Sequence, residues 1–466
     1  MNTILRRFFS STWTLALLTI ASTTLFAYVY VASGTYLLEL ASLIIAGAFF
    51  VITYYKFEWG LYALIFALPF NGTHIVGQLR LTELITLVLI LVYVIQWILG
   101  RRPTRIPLGT LFIVLSFFLF VNALSMWNAL LPLTSVKRVF ILGYLILTAY
   151  LIGQVVETEK ILRGVVRAFL MCATIFGAYG VYQFFSPAYR IVAFSNVWNV
   201  SGLPRITLFY GDPNLLSGYL LINILLCLAL FYNGVERKSW WLRLALPLSI
   251  IDMLLTFSRS GVIAAAVGGV VLLAMNSNPT VLKQTGKVLG ALILALVIVY
   301  SASSQVRNAI APAISRLTRL TDTSVDSVGA RVVAYQEALN MAADHPIIGI
   351  GPDMFPYEYD VRTGITAPEP HVVPHNLILE ILAEKGILGL LAFFGIMGTL
   401  FYKLIVALKA TPKTASFHRA VLQWITVSLI AFLIHTLFLT GLYEVYLWVL
   451  IGLAYALTSR AWSHVE

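Results

Sequence analysis

The chain has 466 residues, 60% of them hydrophobic and only 11% charged, with a mean hydropathy of +0.89. Apolar stretches from one end to the other exclude a water-soluble globular protein and imply a polytopic membrane protein. The formal charge of +11 does not indicate nucleic acid, because no basic run exceeds a few residues; such charges orient the chain and meet membrane lipids or other anionic groups.

Lipid offers no water to satisfy strand edges, so the spans must be helices and the fold class is all-α. At the start, MNTILRRFFSSTW places Arg6 and Arg7 before a long apolar run without a small-residue cleavage site, which predicts a retained first helix starting in the cytoplasm. Helices are then expected near 13–32, 36–55, 59–70, 81–99, 108–127, 137–156, 161–185, 213–232, 243–257, 261–275, 285–302, 387–408, 420–439 and 442–458. The segments 59–70, 243–257 and 261–275 are short enough to be half-helices or re-entrant pieces. Residues 1–302 thus form transmembrane helices with short loops, 303–376 one long outer loop, and 377–466 the C-terminal transmembrane helices of a single membrane domain. Cys172 and Cys227 lie inside apolar segments and imply neither a disulfide framework nor a thiolate metal site.

With the first helix starting inside, the connectors GRRPTR (100–105), ERKSWWLR (236–243) and KATPKTASFHR (409–419) all fall on the cytoplasmic side, as the Lys/Arg bias requires. The connectors 71–80, 186–205, 256–261 and 303–376 fall outside. They carry Arg80, Arg190, Arg205, Arg259, Arg307, Arg316, Arg319, Arg331 and Arg362, and no lysine. Arginine without lysine suggests planar, bidentate recognition of carboxylate or phosphate. Snorkelling at helix ends, or pairing with Glu83, Asp212 or lipid headgroups, explains any single one equally well.

A loop this long is usually functional when it has structure of its own. Residues 305–320 fit an amphipathic interfacial helix and 329–346 a second helix, with Arg331 and Tyr335 at i and i+4 on one face. Pro346, Gly349 and Gly351 end it in a tight turn. Pro374 disfavours helix at the residue before it, so the next helix should begin near His375 or Asn376. Its first turns put Leu377, Ile378, Ile381 and Leu382 on one arc and Glu380, Ala383 and Glu384 opposite, predicting a segment tilted along the outer surface that bends into the bilayer at its glycines. Beside the positive end of that helix, the His375 imidazole would be kept neutral and basic. A neutral histidine facing arginines is a proton acceptor beside an anion site, suited to transfer from a lipid-linked diphosphate. With no DxD and no carboxylate cluster in the outer loops, arginine rather than a metal ion is the expected electrophile.

His375-Asn376, then nine residues, then Gly386-Ile-Leu-Gly389 resembles the signature of the bacterial O-antigen ligases. Arg331, Tyr335, Pro346, Gly349 and Gly351 look like that family's R-x3-Y leading to P-x2-G-x-G; Arg259-Ser-Gly261 is similar to its SRG-type turn, and GDPN (211–214) to its N-bearing helix start. The likeness runs from about Leu203 to Phe401; Leu390, where the family often has a small or β-branched residue, is a departure that bears on ligase versus polymerase. The resemblance implies an inverting glycosyltransferase without metal or cofactor, with about twelve transmembrane helices (12–14 by hydropathy) and a periplasmic long loop. It would sit in the bacterial inner membrane, moving O-antigen polysaccharide from an undecaprenyl-diphosphate-linked glycan donor to lipid A-core on the periplasmic face.

By position His375 would be the catalytic base. Arg259, Arg331, Arg205 and Arg80 would bind the diphosphate or sugar, with Tyr335 and Asn376 supporting them. Glu380 and Glu384 are expected as structural partners for arginines. GDPN is explained equally by Asp212 as N-cap and Pro213 at the first helical position. Of the other histidines, His371 is expected in a loop, His345 at a helix end, His418 and His464 on the cytoplasmic side, and His435 packed within the membrane, while His74 is ambiguous. The alternatives are an O-antigen polymerase extending lipid-linked repeats, an oligosaccharyltransferase acting on protein, and a membrane transporter, for which Asp252 within an apolar segment is the main feature.

Overall fold

The structure is a computed structural model that describes residues 36–72, 74–76, 79–101, 109–185, 198–200, 203–236, 238–276, 329–364 and 372–460. The helices expected at 13–32, 285–302 and 305–320 lie outside the described residues, as do His371 and His464.

In chain order the elements are α1 (Tyr36–Tyr55), α2 (Phe57–Ala67), β1 (His74–Val76), β2 (Leu79–Arg80), α3 (Leu81–Ile98), α4 (Thr110–Ser125), α5 (Pro132–Val155), α6 (Glu159–Phe185), β3 (Trp198–Val200), β4 (Leu203–Arg205) and α7 (Pro213–Tyr232). They continue with α8 (Trp240–Leu255), α9 (Arg259–Met275), α10 (Gly329–Asp344), α11 (Phe355–Thr363), α12 (Leu377–Ala410), α13 (Ser416–His435) and α14 (Val445–Thr458). Among the described residues, seven helices are long and apolar enough to cross a membrane and four apolar helices are shorter. The all-α expectation holds for the spans, but β1 pairs with β2 and β3 with β4 in two short antiparallel hairpins. Both lie in connectors, where backbone groups unmet by a second strand can bond to water.

Helix starts follow local chemistry that hydropathy alone places late. The first turn of α5 begins at Pro132, five residues before the expected start, because proline at N1 lacks a donor the helix would leave unpaired anyway. In α11, a helix that sequence reading passed over, Pro356 stands at the second position, where its missing N–H would likewise find no partner in the helix; Gly364 ends it in a left-handed cap at φ 69°.

Helices α7, α13 and α14 are buried nearly all round. Around them α4 turns Ile113, Phe117, Phe120 and Leu124 outward, an apolar face fitted to lipid. Close approach of α5 to α14 depends on small residues: a Cβ on Gly452 would press on the Ala149 carbonyl, and one on Gly153 would enter the Tyr455 ring.

The described residues of the two sets of connectors separate to opposite ends. At one end Glu159 meets Arg163 and His418, Glu236 meets Arg167, and Arg163 lies over the Phe417 ring. At the other end Thr436 O accepts from Leu377 N at 2.9 Å, Arg205 reaches Thr256, and Asn71 reaches Glu444. With 18 residues, α3 spans about 27 Å between them.

The expectation that the first turns of α12 lie on the surface is corrected. Glu380, Glu384 and Lys385 are buried, and Glu384 pairs with Lys385 at 2.8 Å rather than with an arginine. Helices α10 and α11 cover this segment, joining Ala334, Ala338, Met341, Ile350, Met354, Phe355 and Tyr359 to Ala383 in a small separate core. Two turns interlock here. Gly386 breaks α12 at φ 63°, and the 346–351 turn docks into the break through Ile350 N to Ala383 O, Gly351 N to Glu384 O and Ile387 N to Pro346 O, at 2.9–3.0 Å. Gly349 stands at φ 72°, with the Glu384 carbonyl where its Cβ would be. The glycines of the two motifs therefore fasten the α10–α11 unit to α12.

Candidate active site

Three helix N-termini point into the same end of the bundle. Asp212 caps α7, accepting from Asn214 N at 2.6 Å and Leu215 N at 3.2 Å. Ser258 caps α9, accepting from Gly261 N at 3.4 Å. Asn376 caps α12, accepting from Ile378 N at 3.0 Å and Leu379 N at 3.1 Å. Side chains tie the first two together. Arg205 donates from Nε to Thr256 O at 2.8 Å and from Nη2 to Asn214 Oδ1 at 3.1 Å, while Ser217 Oγ lies 3.0 Å from Ser258 Oγ. Helix N-termini carry partial positive charge that favours anions, and at α7 the Asp212 carboxylate already meets part of it.

His375 precedes the α12 cap and holds a left-handed backbone at φ 48°, a conformation in which His, Asn and Asp are enriched and which costs about 1 kcal/mol or more. It is half-buried, and its Nδ1 has no hydrogen-bond partner among the described residues. Burial lowers its pKa, the Arg331 charge lowers it further, and Asp212 opposes them weakly. The imidazole is therefore neutral near pH 7, with burial as the largest cause.

Of the four arginines, Arg331 is brought by α10 near enough for its charge to act on His375, on the helix face where Ala334, Ala338 and Met341 pack; Tyr335, half-buried, is one turn further on the same face. Arg259 opens α9, exposed and without a hydrogen-bond or ion-pair partner among the described residues. Arg205 is buried, and its two bonds fasten β4 to α7 and to the α8–α9 turn, a positioning task rather than a free anion grip. Arg80 opens α3, its backbone N–H held by Glu83 Oε2 at 2.9 Å, with its charge facing Glu444. Arg362 is engaged elsewhere, by Asp344 at 2.6 Å.

Glu444 escaped the sequence reading. It is 7% exposed and precedes α14, accepts from Asn71 Nδ2 at 2.9 Å, and is pushed up to about 7 by burial against the pull of Arg80 and Asn71. Asn71 Oδ1 in turn accepts from Thr82 Oγ1 at 3.0 Å. The signal was a lone carboxylate in the short joint between two apolar runs, which is costly there and so worth explaining.

Fold and site together define a multi-pass helical membrane protein with an anion-receptive site, containing a neutral histidine, at one end of its bundle. Residues 244–394, about a third of the chain, match the family model described as O-antigen ligase, so this part of the chain is similar to that family. The matched segment runs from α8 into α12 and includes Arg259, Arg331, Tyr335, His375 and Asn376, but not Arg80, Arg205 or Glu444. No match is found among curated proteins.

Proposed function

We propose that the chain is an O-antigen ligase working on the periplasmic face of the bacterial inner membrane. It transfers polysaccharide from undecaprenyl diphosphate to a sugar of lipid A-core. The observation that carries this reading is the placement of a neutral His375 beside Arg331 and the N-termini of α7, α9 and α12. In the proposed step His375 accepts the proton of the acceptor hydroxyl, whose oxygen forms a bond to the anomeric carbon with inversion. The bond from that carbon to the diphosphate breaks, and the lipid diphosphate leaves with the electron pair. Arg259, Arg331 and the helix N-termini stabilise the departing charge, with Arg80 further along the same end; Arg205, Tyr335 and Asn376 hold the elements that present them.

A positioned base contributes about 100- to 10,000-fold. In proteoliposomes with a lipid-diphosphate glycan and lipid A-core, His375→Ala is expected to lose at least about 100-fold in kcat. Full activity in this variant would overturn the base. Product on lipid A-core supports the ligase, whereas longer chains on the lipid carrier would assign the chain as a polymerase, which shares the donor chemistry.

A further inference from the structure

His435 ends α13 outside the chemistry just described, yet it occupies the joint of the site. Its side chain is 0% exposed. Nε2 lies 3.1 Å from the Asn214 carbonyl oxygen and 3.4 Å from Ser217 Oγ, and the ring rests against the Ser260 backbone. A carbonyl oxygen only accepts, so Nε2 carries the proton in this contact. Ser217 also bonds to Asn214 O at 2.7 Å and lies 3.0 Å from Ser258 Oγ, the cap of α9. One imidazole thus grips the first turn of α7 and, through one hydroxyl, the start of α9.

The next residue holds the third helix. Thr436 O accepts from Leu377 N at 2.9 Å, two residues from His375, and Thr436 Oγ1 is itself bonded back to Phe432 O at 2.9 Å. The dipeptide at 435 and 436 therefore has His375 on one side and Arg259 with the α7 and α9 N-termini on the other. Little room exists for slack: a Cβ on Gly218 would meet Tyr446 Oη and His435 Cδ2, and one on Gly261 would meet Ser217.

We infer that His435 is a positioning residue that sets the distance between the base and the anion-receptive helix ends; this rests on the reading of His375 as the base. Its work is a directed hydrogen bond, which a side chain of similar volume without a donor does not replace. Gln is the conservative variant, because its amide nitrogen reaches where the imidazole Nε2 stands.

The test compares His435→Leu and His435→Gln in the transfer assay, with thermal midpoints measured in the same detergent. Displacement of about 1 Å costs on the order of 100-fold, so His435→Leu is expected to lose kcat to that extent while donor KM changes less than about threefold, and His435→Gln to recover to within about tenfold. Leu and Gln variants of equal activity, at whatever level, would overturn the inference, as would losses that follow the thermal midpoint. Should His435→Leu fail to fold, Ser217→Ala removes only the link to α9 and is expected to lower kcat about tenfold; wild-type kcat there overturns the inference too. His375→Ala in the same assay separates the two ideas. If it is active, the base reading fails; if it is inactive while His435→Leu is fully active, only the positioning role fails.

Discussion

Replacing Gly386 by alanine is expected to release the α10–α11 unit from α12 while leaving the bundle folded. Gly386 stands at φ 63° and ψ −167°, a region essentially confined to glycine, so alanine there costs about 1–3 kcal/mol. Its Cβ would also land on the Ile347 carbonyl and Ile348 N, forcing the 346–351 turn to withdraw. Two backbone bonds then weaken, Ile387 N to Pro346 O at 2.9 Å and Leu388 N to Ile347 O at 3.2 Å, each contributing about 0.5–1.5 kcal/mol. The total is roughly 4 kcal/mol, a large share of the roughly 5–15 kcal/mol that holds an ordinary domain, and it falls on one joint. Arg331 rides on the unit that loosens, so transfer activity should fall and protease cleavage within 329–364 should rise. Gly398→Ala is the control: it lies in the same helix with nothing within 4 Å of the added Cβ, and should change stability by no more than about 1 kcal/mol. A Gly386→Ala protein with native protection and activity would refute the interlocking role of the glycine motifs.

The buried pair beneath that joint gives a second prediction. Lys385→Ala leaves Glu384 enclosed without its counter-charge and should destabilise by about 3–5 kcal/mol in thermal melts, whereas Lys385→Met with Glu384→Gln should regain most of it; equal losses would mean the pair is not the cause. Glu444, lifted from the usual 4.5 to about 7, binds its proton more tightly in the folded chain. Stability should therefore fall as pH rises from about 5 to 7, by up to about 3 kcal/mol, and Glu444→Gln should flatten that slope in melts across the range. His375, whose pKa lies below 6.5, should give transfer an acid limb below that pH, with activity lost as the imidazole gains its proton. Removing the neighbouring charge with Arg331→Gln should move the limb to higher pH; an unmoved limb would show that Arg331 does not face His375.

The chain's one-dimensional chemistry was enough for the spans. A run of apolar residues has no soluble alternative, so hydropathy located the long helices that are described, and the Lys/Arg bias sorted the connectors into two groups whose described residues lie at opposite ends. Pro374 and Asn376 likewise placed the start of α12, because the cap and the pre-proline restriction act within a few residues. The same local rules misjudged what covers a surface. The Glu380 and Glu384 face looked solvated because a helical wheel shows two faces and not the α10–α11 unit that encloses one of them.

Only the tertiary structure decided which arginines remain available. Arg205 and Arg259 belong to outer connectors of similar composition, yet Arg205 bonds to residues 9 and 51 positions away while Arg259 is exposed at the start of α9. It also showed Glu444, 373 residues from its partner Asn71, and the joint at His435, 221 residues from Asn214. The sequence by itself determined that this is a bundle of membrane helices, since transfer from water to lipid acts on each segment separately. Which groups meet His375 depends on packing between segments far apart in the chain, and packing is what folding the bundle supplies.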